Sequence, residues 1–334
     1  RHARQWVMGG ALFIWMWTSV STACGLLVLG RLLLPRPAWV KLKEFIQHSF
    51  VATFLWAYER NANLKIRISG DKVPDRESAL ILPNHINQDW APLYSLAIRK
   101  GMLGAVRCVI KDVVKYLPGF GWSMWLTNWP FLKRNWAQDQ KYLVRKMDGY
   151  RKDKSPLHVW CFPEGTRLTD KKLQQAKDFA TARQLPVLGH VMQPRVKGFI
   201  ALVQGLEGIC SHVYDVTLAY SGWQSKKFRG PSLFETFFPK PLDKEHVMHV
   251  HIRRIPFSAL PPLHDAEALK QWCYHCFLEK DKVLTYFAEH GQFPGHDTSR
   301  PLEYKDWVPG FVFCTALDAA VGWGLLKLYF RRKR

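Results

Sequence analysis

The sequence is short of acidic residues, and its cysteines form no framework. It has 27 Asp and Glu against 48 Lys and Arg, a formal net charge of +21. We therefore expect an acidic partner, such as a nucleic acid, an anionic lipid or a phosphorylated substrate. The 7 scattered cysteines predict no disulfides and suit a reducing compartment. One C-x-x-C pair, Cys273 and Cys276, lies in a helical pattern without a second pair, so it predicts helix-face residues and no metal site.

Signatures of nucleic-acid binding are missing as well. Zinc-finger spacing, an RNP-type motif and an Arg/Ser-rich tail are absent, which argues against nucleic acid as the partner. The 15 Trp and 20 Phe favour a membrane instead, because aromatic side chains concentrate at bilayer interfaces. The chain shows no internal repeat and no low-complexity segment.

The first apolar segment is long enough to cross a bilayer. Trp6 to Gly30 carries no charged residue and would form a helix about 37 Å long. A signal peptide is the alternative, but the run exceeds a usual signal core and lacks a clear cleavage site. We predict a membrane anchor over residues 1–37, with the basic residues after it placing the main body in the cytosol. Because the chain begins at Arg1, we expect an upstream piece.

A second apolar segment lies at the other end of the chain. It runs from Trp307 to Phe330, carries Asp318 near its middle and leads into a basic tail at Arg331–Arg334. A charge at the centre of a bilayer is costly, so residues 301–334 are predicted to be re-entrant or interfacial rather than spanning.

Between these segments, apolar runs typical of strands alternate with helical patterns. The candidate strands are Leu64–Ile68, Ala79–Leu82, Ala105–Ile110, His158–Phe162, Val213–Tyr220 and His249–Ile255. The candidate helices are Ala38–Tyr58, Trp90–Arg99, Trp136–Tyr150, Leu173–Arg183, Val196–Leu206 and Asp265–His290. This alternation predicts an α/β fold with a mostly parallel sheet flanked by helices. We expect a catalytic domain at 38–240 and a C-terminal region at 241–300, with the helix Ala38–Tyr58 lying along the membrane.

The first candidate for chemistry follows the strand Ala79–Leu82. His85 is predicted to open a helix, which would place Asp89 on the same face one turn later. A carboxylate beside an imidazole fixes its tautomer, so that the ring can take a proton from a hydroxyl. Alone, the pair is weak evidence and is more typical of a histidine at a helix start beside a solvated aspartate.

A second motif, Phe162–Arg167, comes directly after another apolar strand. Glu164 can accept hydrogen bonds from hydroxyls, Thr166 can donate one, and Arg167 can form a bidentate pair with a phosphate. Upstream, a Trp-rich apolar stretch ends in the basic pair Lys133 and Arg134. That combination suits a lipid tail beside its phosphate, although a solvated basic face next to buried aromatic residues would look the same.

Four ordered blocks resemble those of the phospholipid/glycerol acyltransferase family. They are Asn84-His85…Asp89-Trp90, Phe131-Leu132-Lys133-Arg134, Phe162–Arg167, and Pro194-Arg195 followed by Gly198. The likeness is greatest to the membrane branch of lysophospholipid, lysocardiolipin and 1-acylglycerol-3-phosphate acyltransferases. It extends into the C-terminal region, at His251–Pro256 and Phe277–Asp281.

The resemblance implies transfer of a fatty acyl group from a thioester, usually acyl-CoA, to a free hydroxyl of a lysophospholipid or lysophosphatidic acid. It implies His85 as general base and Asp89 as its orienting carboxylate. The residues that would hold the glycerol phosphate are Lys133, Arg134, Glu164, Gly165, Thr166 and Arg167. The floor of the site would be shaped by Pro194 and Arg195. Acyl-CoA would be a co-substrate, with no cofactor and no metal. The implied location is the endoplasmic reticulum membrane, with mitochondria or another endomembrane as the alternative.

One spacing departs from the family pattern. The family has four residues between the His and the Asp of the first block, whereas three separate His85 from Asp89. Two hypotheses follow: an active acyl-CoA-dependent enzyme, or a catalytically silent membrane protein that binds lysolipids. A CoA-independent transacylase is a variant of the first. We expect an active enzyme, because the block Glu164–Arg167 is intact. The sequence offers no Ser or Cys nucleophile motif, which agrees with direct attack by the lipid hydroxyl.

Overall fold

The computed structural model describes residues 2–61, 63–221, 230 and 246–332. The predicted domain boundary at residue 240 and the end of the basic tail lie outside these residues. The helices are α1 His2–Leu33, α2 Arg36–Asn61, α3 Trp90–Arg99, α4 Phe120–Leu126, α5 Trp136–Asp153, α6 Asp170–Ala182, α7 Val196–Leu206, α8 Ala266–His290 and α9 Tyr304–Arg332. The strands are β1 Leu64–Gly70, β2 Ala79–Pro83, β3 Val106–Cys108, β4 Ile110–Lys111, β5 Phe131–Leu132, β6 His158–Trp160, β7 His212–Ser221 and β8 His246–Pro256.

Six of the strands form one mostly parallel sheet in the order β1-β8-β7-β2-β6-β3. Every neighbouring pair is parallel except β7 and β8, which are antiparallel. The central strand β2 is buried along its whole length, as expected for a strand covered on both faces. Strand β1 largely alternates buried and exposed residues and lies at one edge of the sheet. The predicted α/β fold is therefore confirmed.

Helices cover both faces of the sheet. Because successive side chains point to opposite faces, Ile81 packs in the core on one side and Leu80 and Leu82 pack in the core on the other. The first core includes residues of α2 and α3, and the second includes residues of α5, α7 and α8. Cys273 and Cys276 are buried in the second core, which confirms them as helix-face residues.

Helix α2 is a core element and does not lie along the membrane as predicted. Leu55 and Tyr58 pack in the core beside the sheet, and the Gln47 amide donates to the carbonyls of Leu103 and Val106, 3.0 Å in each case. The aromatic residues that suggested a membrane surface serve instead to contact neighbouring helices, as in the stacking of Trp56 on Trp307 of α9.

Helices α1 and α9 pack against α2 and against each other. Both are long and apolar enough to cross a membrane, by length and composition. Helix α9 is one helix from Tyr304 to Arg332, so the re-entrant form of the prediction is wrong, whereas the interfacial form stays a prediction. The carboxylate of Asp318 accepts hydrogen bonds from the hydroxyls of Ser19 and Thr22 on α1. The charge that argued against a span is therefore partnered inside the helix pair.

Candidate active site

The first motif lies in a tight turn between β2 and α3. Asn84 is held to β7 by two hydrogen bonds: its Nδ2 donates to the Leu218 carbonyl at 3.1 Å, and the Leu218 N–H donates to its Oδ1 at 2.7 Å. Further along the turn, Gln88 has a left-handed backbone with φ +53°. Its carbonyl accepts the Tyr220 hydroxyl at 2.9 Å, and α3 begins only at Trp90.

His85 is therefore not the start of a helix, as the sequence suggested. The bonds between Asn84 and Leu218 hold the chain in an extended path before His85. The turn then brings Asp89 back to the imidazole, and Nδ1 of His85 contacts Oδ2 of Asp89. With the carboxylate at Nδ1, the proton lies on that nitrogen and the lone pair of Nε2 is free to accept a proton. The predicted contact is present, but it is made by a turn and not by one face of a helix.

The second motif holds the backbone of the first. Glu164 is buried. Its Oε1 accepts the His85 N–H at 2.6 Å, and its Oε2 accepts the Met192 N–H at 3.1 Å. Burial raises the pKa of Glu164 to about 8, while the two N–H bonds lower it. Backbone donors thus bind both carboxylate oxygens, so Glu164 is placed to position His85; its predicted contact with the substrate stays a prediction.

Gly165 allows the side chain of Arg195 to approach the backbone closely. Its φ is +69°, and a Cβ there would lie 3.3 Å from Cδ of Arg195. Nη2 of Arg134 donates to the Gly165 carbonyl at 3.0 Å. The Arg195 N–H in turn donates to the carbonyl of Pro163 at 2.7 Å. The second, third and fourth blocks of the sequence thus meet at one point in space.

The site opens into a large apolar cavity of about 1310 Å³. This exceeds the 300–1,000 Å³ that is typical of small-ligand clefts. The predicted site residues on its wall are His85, Asp89, Arg134, Gly165, Thr166, Arg167, Pro194 and Arg195. The side chain of Lys133 is exposed and lies outside the residues that line the cavity; only its N–H is engaged, with Oδ1 of Asp139 at 2.9 Å.

Two sets of lining residues were missed by the sequence analysis. One is cationic and consists of Lys111, Lys172 and Lys197; Lys172 donates to the Thr166 hydroxyl and, at 3.2 Å, to the Arg167 carbonyl. Lys172 lies in the first turn of α6, three residues after the capping residue Thr169. This helix-start pattern in the sequence could have been used to predict Lys172 as a site residue. The other set lies on α1, from Phe13 to Leu27, and an apolar helix of this kind gives no indication of which face borders a site.

We call the part of the cavity that is lined by exposed arginines its open end, and the part that is lined by buried residues of α1 its closed end. Arg134, Arg167 and Arg195 are exposed, whereas Val20 and Leu27 of α1 are buried. The 14-residue interval from Phe13 to Leu27 corresponds to about 21 Å along the helix axis. The hydrocarbon depth of one bilayer leaflet is about 15 Å, half of a 30 Å core. The α1 residues that line the cavity therefore extend over a length greater than the hydrocarbon depth of one leaflet.

Comparisons with known proteins identify the family of the chain. Residues 65–221 match the family model described as acyltransferase, and residues 242–314 match the one described as acyltransferase C-terminus. The chain belongs to the acyltransferase family. The predicted family and the predicted class of enzyme, an acyltransferase, are confirmed.

Similar proteins include enzymes from plants and animals. The chain is 32% identical to the probable 1-acyl-sn-glycerol-3-phosphate acyltransferase 5 of Arabidopsis thaliana, over 84% of this chain and 71% of that protein. It is 30% identical to lysocardiolipin acyltransferase 1 of Gallus gallus, over 77% of this chain and 66% of that protein. Among solved structures it is similar to the 1-acyl-sn-glycerophosphate (LPA) acyltransferase PlsC of Thermotoga maritima, with a TM-score of 0.49, 14% identity, and coverage of 85% of this chain and 97% of that one.

Proposed function

We propose that this acyltransferase transfers a fatty acyl group from acyl-CoA to the free hydroxyl of a lysophospholipid or of lysophosphatidic acid. The observation that carries the proposal is the place of the His85–Asp89 pair, on the wall of one cavity between exposed arginines and a deep apolar chamber. A lysolipid has the same division, with an anionic head and a hydroxyl beside a hydrocarbon tail. The relatives are named for acylation of an acylated glycerol phosphate or of lysocardiolipin, and these names support this substrate class.

The chemistry starts at Nε2 of His85. This nitrogen takes the proton of the acceptor hydroxyl while the hydroxyl oxygen attacks the thioester carbonyl carbon. Asp89, in contact with Nδ1, keeps the ring in the required tautomer and stabilises the imidazolium that forms. The carbon–sulfur bond then breaks, and the imidazolium returns the proton to the leaving thiolate. The products are an ester and a free thiol, and the general base contributes about 10²–10⁴ in rate.

The phosphate of the acceptor would lie among the cationic residues at the open end. The guanidinium of Arg167 suits a phosphate because its planar fork can donate two parallel hydrogen bonds. Arg134 and Arg195 flank Gly165 and add positive potential near the same point. Lys111 and Lys197, which border the same cavity, are available for the phosphates of CoA.

The acyl chain would occupy the chamber between α1, α2 and α4. The polar groups of the wall already have partners. Gln47 donates to two carbonyls, and the hydroxyls of Ser123 and Thr127 donate to carbonyls of their own helix. A hydrocarbon chain therefore meets no unpaired donor along these groups, which suits burial of a fatty acid.

The membrane would meet the protein on the side of α1, α9 and α4. Exposed aromatic and aliphatic residues continue from the two long helices onto the segment Val113–Trp125; they are Val113, Tyr116, Leu117, Trp122 and Trp125. Lys111 and Lys115 flank this patch, an arrangement that is typical of the bilayer interface. We propose the endoplasmic reticulum membrane as the location, with mitochondria or another endomembrane as the alternative, and with the catalytic domain in the cytosol.

A catalytically silent lysolipid-binding protein is the second candidate, favoured by the short spacing between His85 and Asp89. The contact between their side chains supports the active enzyme.

The test uses membranes containing the protein, a labelled acyl donor and a panel of lysolipids. The proposal predicts labelled diacyl product with acyl-CoA as donor and none with a labelled diacyl phospholipid. Product from the phospholipid alone would identify a CoA-independent transacylase, and lysolipid binding without product from either donor would identify the silent protein.

A further inference from the structure

Helix α8 contacts an irregular loop that leads to the active site. The loop joins α6 to α7, and its residues 185–195 belong to no helix or strand. Oδ2 of Asp281 on α8 accepts the Gly189 N–H at 2.8 Å, and Oδ1 accepts the His190 N–H at 2.6 Å. One carboxylate thus fixes two consecutive peptide groups of the loop.

Asp281 is presented from a rigid part of the fold. The neighbouring residue Lys280 is fully buried, donates to the Val216 carbonyl at 2.7 Å and pairs with Asp215 of β7. Asp215 is also paired with Arg253 of β8. A buried, paired lysine one residue away leaves α8 little freedom to shift along the sheet, so the position of Asp281 is well defined.

The loop fixed by Asp281 is connected to the turn that carries His85 through Glu164. Two residues after His190, the Met192 N–H donates to Oε2 of Glu164, whose other oxygen holds the His85 N–H. The chain of contacts runs from Asp281 through the loop to Met192, Glu164 and His85. Asp281 is absent from the residues that line the cavity, so it reaches the reaction only through this chain.

We propose that Asp281 is a positioning residue for acyl transfer, which holds the Gly189–Met192 loop so that Glu164 can fix the backbone of His85. The inference rests on the proposed function, in which His85 is the base. It gives the C-terminal region a part in catalysis: one of its side chains sets the geometry of a histidine far away in the sequence.

The test compares Asp281→Asn with Glu279→Gln, a matched change on the same helix. Glu279 pairs with Lys282 on α8 itself and makes no hydrogen bond to the described residues 185–195 of the loop. An asparagine offers one acceptor oxygen in place of two, so one loop N–H would face an NH₂ group. We expect kcat to fall about 10- to 100-fold in Asp281→Asn, as for a small misplacement of a catalytic group, with the KM for lysolipid within about twofold. Glu279→Gln should leave both constants unchanged.

Two further measurements separate positioning from a general loss of folding. Amide hydrogen exchange in Gly189–Met192 should be faster in Asp281→Asn and unchanged in Glu279→Gln, and this readout does not need turnover. In a Glu164→Gln background, Asp281→Asn should change kcat by less than about twofold, because the two residues act in one chain. If Asp281→Asn cannot be obtained as folded protein, Asp281→Glu replaces it, alone and together with Glu164→Gln, and the same measurements are made.

The outcomes are distinguishable from failure of the proposed function. Inactive wild-type protein in which Asp281→Asn speeds loop exchange would count against the function and leave the contact in place. Two results with active wild-type protein would overturn the positioning role. One is an unaltered kcat in Asp281→Asn, and the other is a loss of kcat in the double variant equal to the product of the losses in Asp281→Asn and Glu164→Gln.

Discussion

At the scale of single residues, the turn from Asn84 to Asp89 accommodates the shortened spacing. Asn84 is fixed to Leu218 on one side, and α3 begins at Trp90 on the other. The left-handed backbone of Gln88 reverses the chain between them, at the cost of a conformation that a residue with a Cβ rarely adopts. The imidazole and the carboxylate still meet, although the family pattern has one residue more between them.

The role of Asp89 gives a kinetic prediction. Asp89→Asn keeps an oxygen that can accept from Nδ1 of His85, but the neutral amide does not stabilise the imidazolium. We expect kcat to fall by about 10²–10⁴ with lysolipid binding nearly unchanged. Steady-state kinetics together with a lysolipid-binding titration would measure both. A loss of binding equal to the loss of kcat would assign Asp89 to the substrate pocket instead.

Arg167 gives a prediction about the acceptor phosphate. Its side chain is exposed at the open end of the cavity, and lysine there cannot form the bidentate pair. Arg167→Lys should raise the KM for lysolipid much more than the KM for acyl-CoA. Arg183→Lys is the matched control, because Arg183 lies over the Phe179 ring and outside the cavity lining. Equal effects on both substrates would refute the phosphate contact.

At the scale of elements, α1 is a wall of the active site. Leu27 borders the closed end of the cavity, whereas Leu29, two residues on, is 55% exposed. Leu27→Trp should shorten the chamber, and Leu29→Trp should not. If two CH₂ groups lose their place, at about 0.8 kcal/mol each, kcat/KM for a long acyl-CoA should fall roughly tenfold relative to a short one. Parallel assays with donors of two chain lengths would show it, and an unchanged ratio in Leu27→Trp would place the acyl chain elsewhere.

Sequence reasoning succeeded where local patterns determine the structure. The helices Trp90–Arg99 and Val196–Leu206 have the predicted ends, because strong apolar periodicity stops there at polar or turn residues. It was wrong for His85, because the restraint on that residue comes from Leu218, which is distant in the sequence. For the same reason the residues alone did not reveal that Glu164 binds backbone or that α1 borders the cavity.

At the scale of the whole molecule, the N-terminal helix α1, the sheet with its flanking helices, and the C-terminal helices α8 and α9 pack together. Helix α1 contributes to the cavity, α9 packs on α1 and α2, and α8 holds the loop before α7. Part of the basic excess of the sequence lies at the open end of that cavity, beside a surface rich in exposed Trp.

A truncation tests how the molecule binds the bilayer. A chain that begins at Lys41 lacks α1 but keeps α9 and the exposed residues of Val113–Trp125. We expect it to sediment with membranes after a high-salt wash, because burial of apolar area is insensitive to screening, and to lose acyl transfer because the cavity lacks one wall. Recovery of this chain as a soluble monomer without detergent would contradict the prediction.

The most direct test of the account is the turnover of three proteins on the lysolipid panel with acyl-CoA. They are the wild type, His85→Ala, and a variant with one residue inserted after Asn87, which recreates the family spacing. We predict that the wild type makes product and that His85→Ala makes none. The insertion should be no faster than the wild type, because it lengthens a turn whose two ends are already fixed. An inactive wild type beside an active insertion variant would contradict the claim that the His85–Asp89 pair of this chain is a working base.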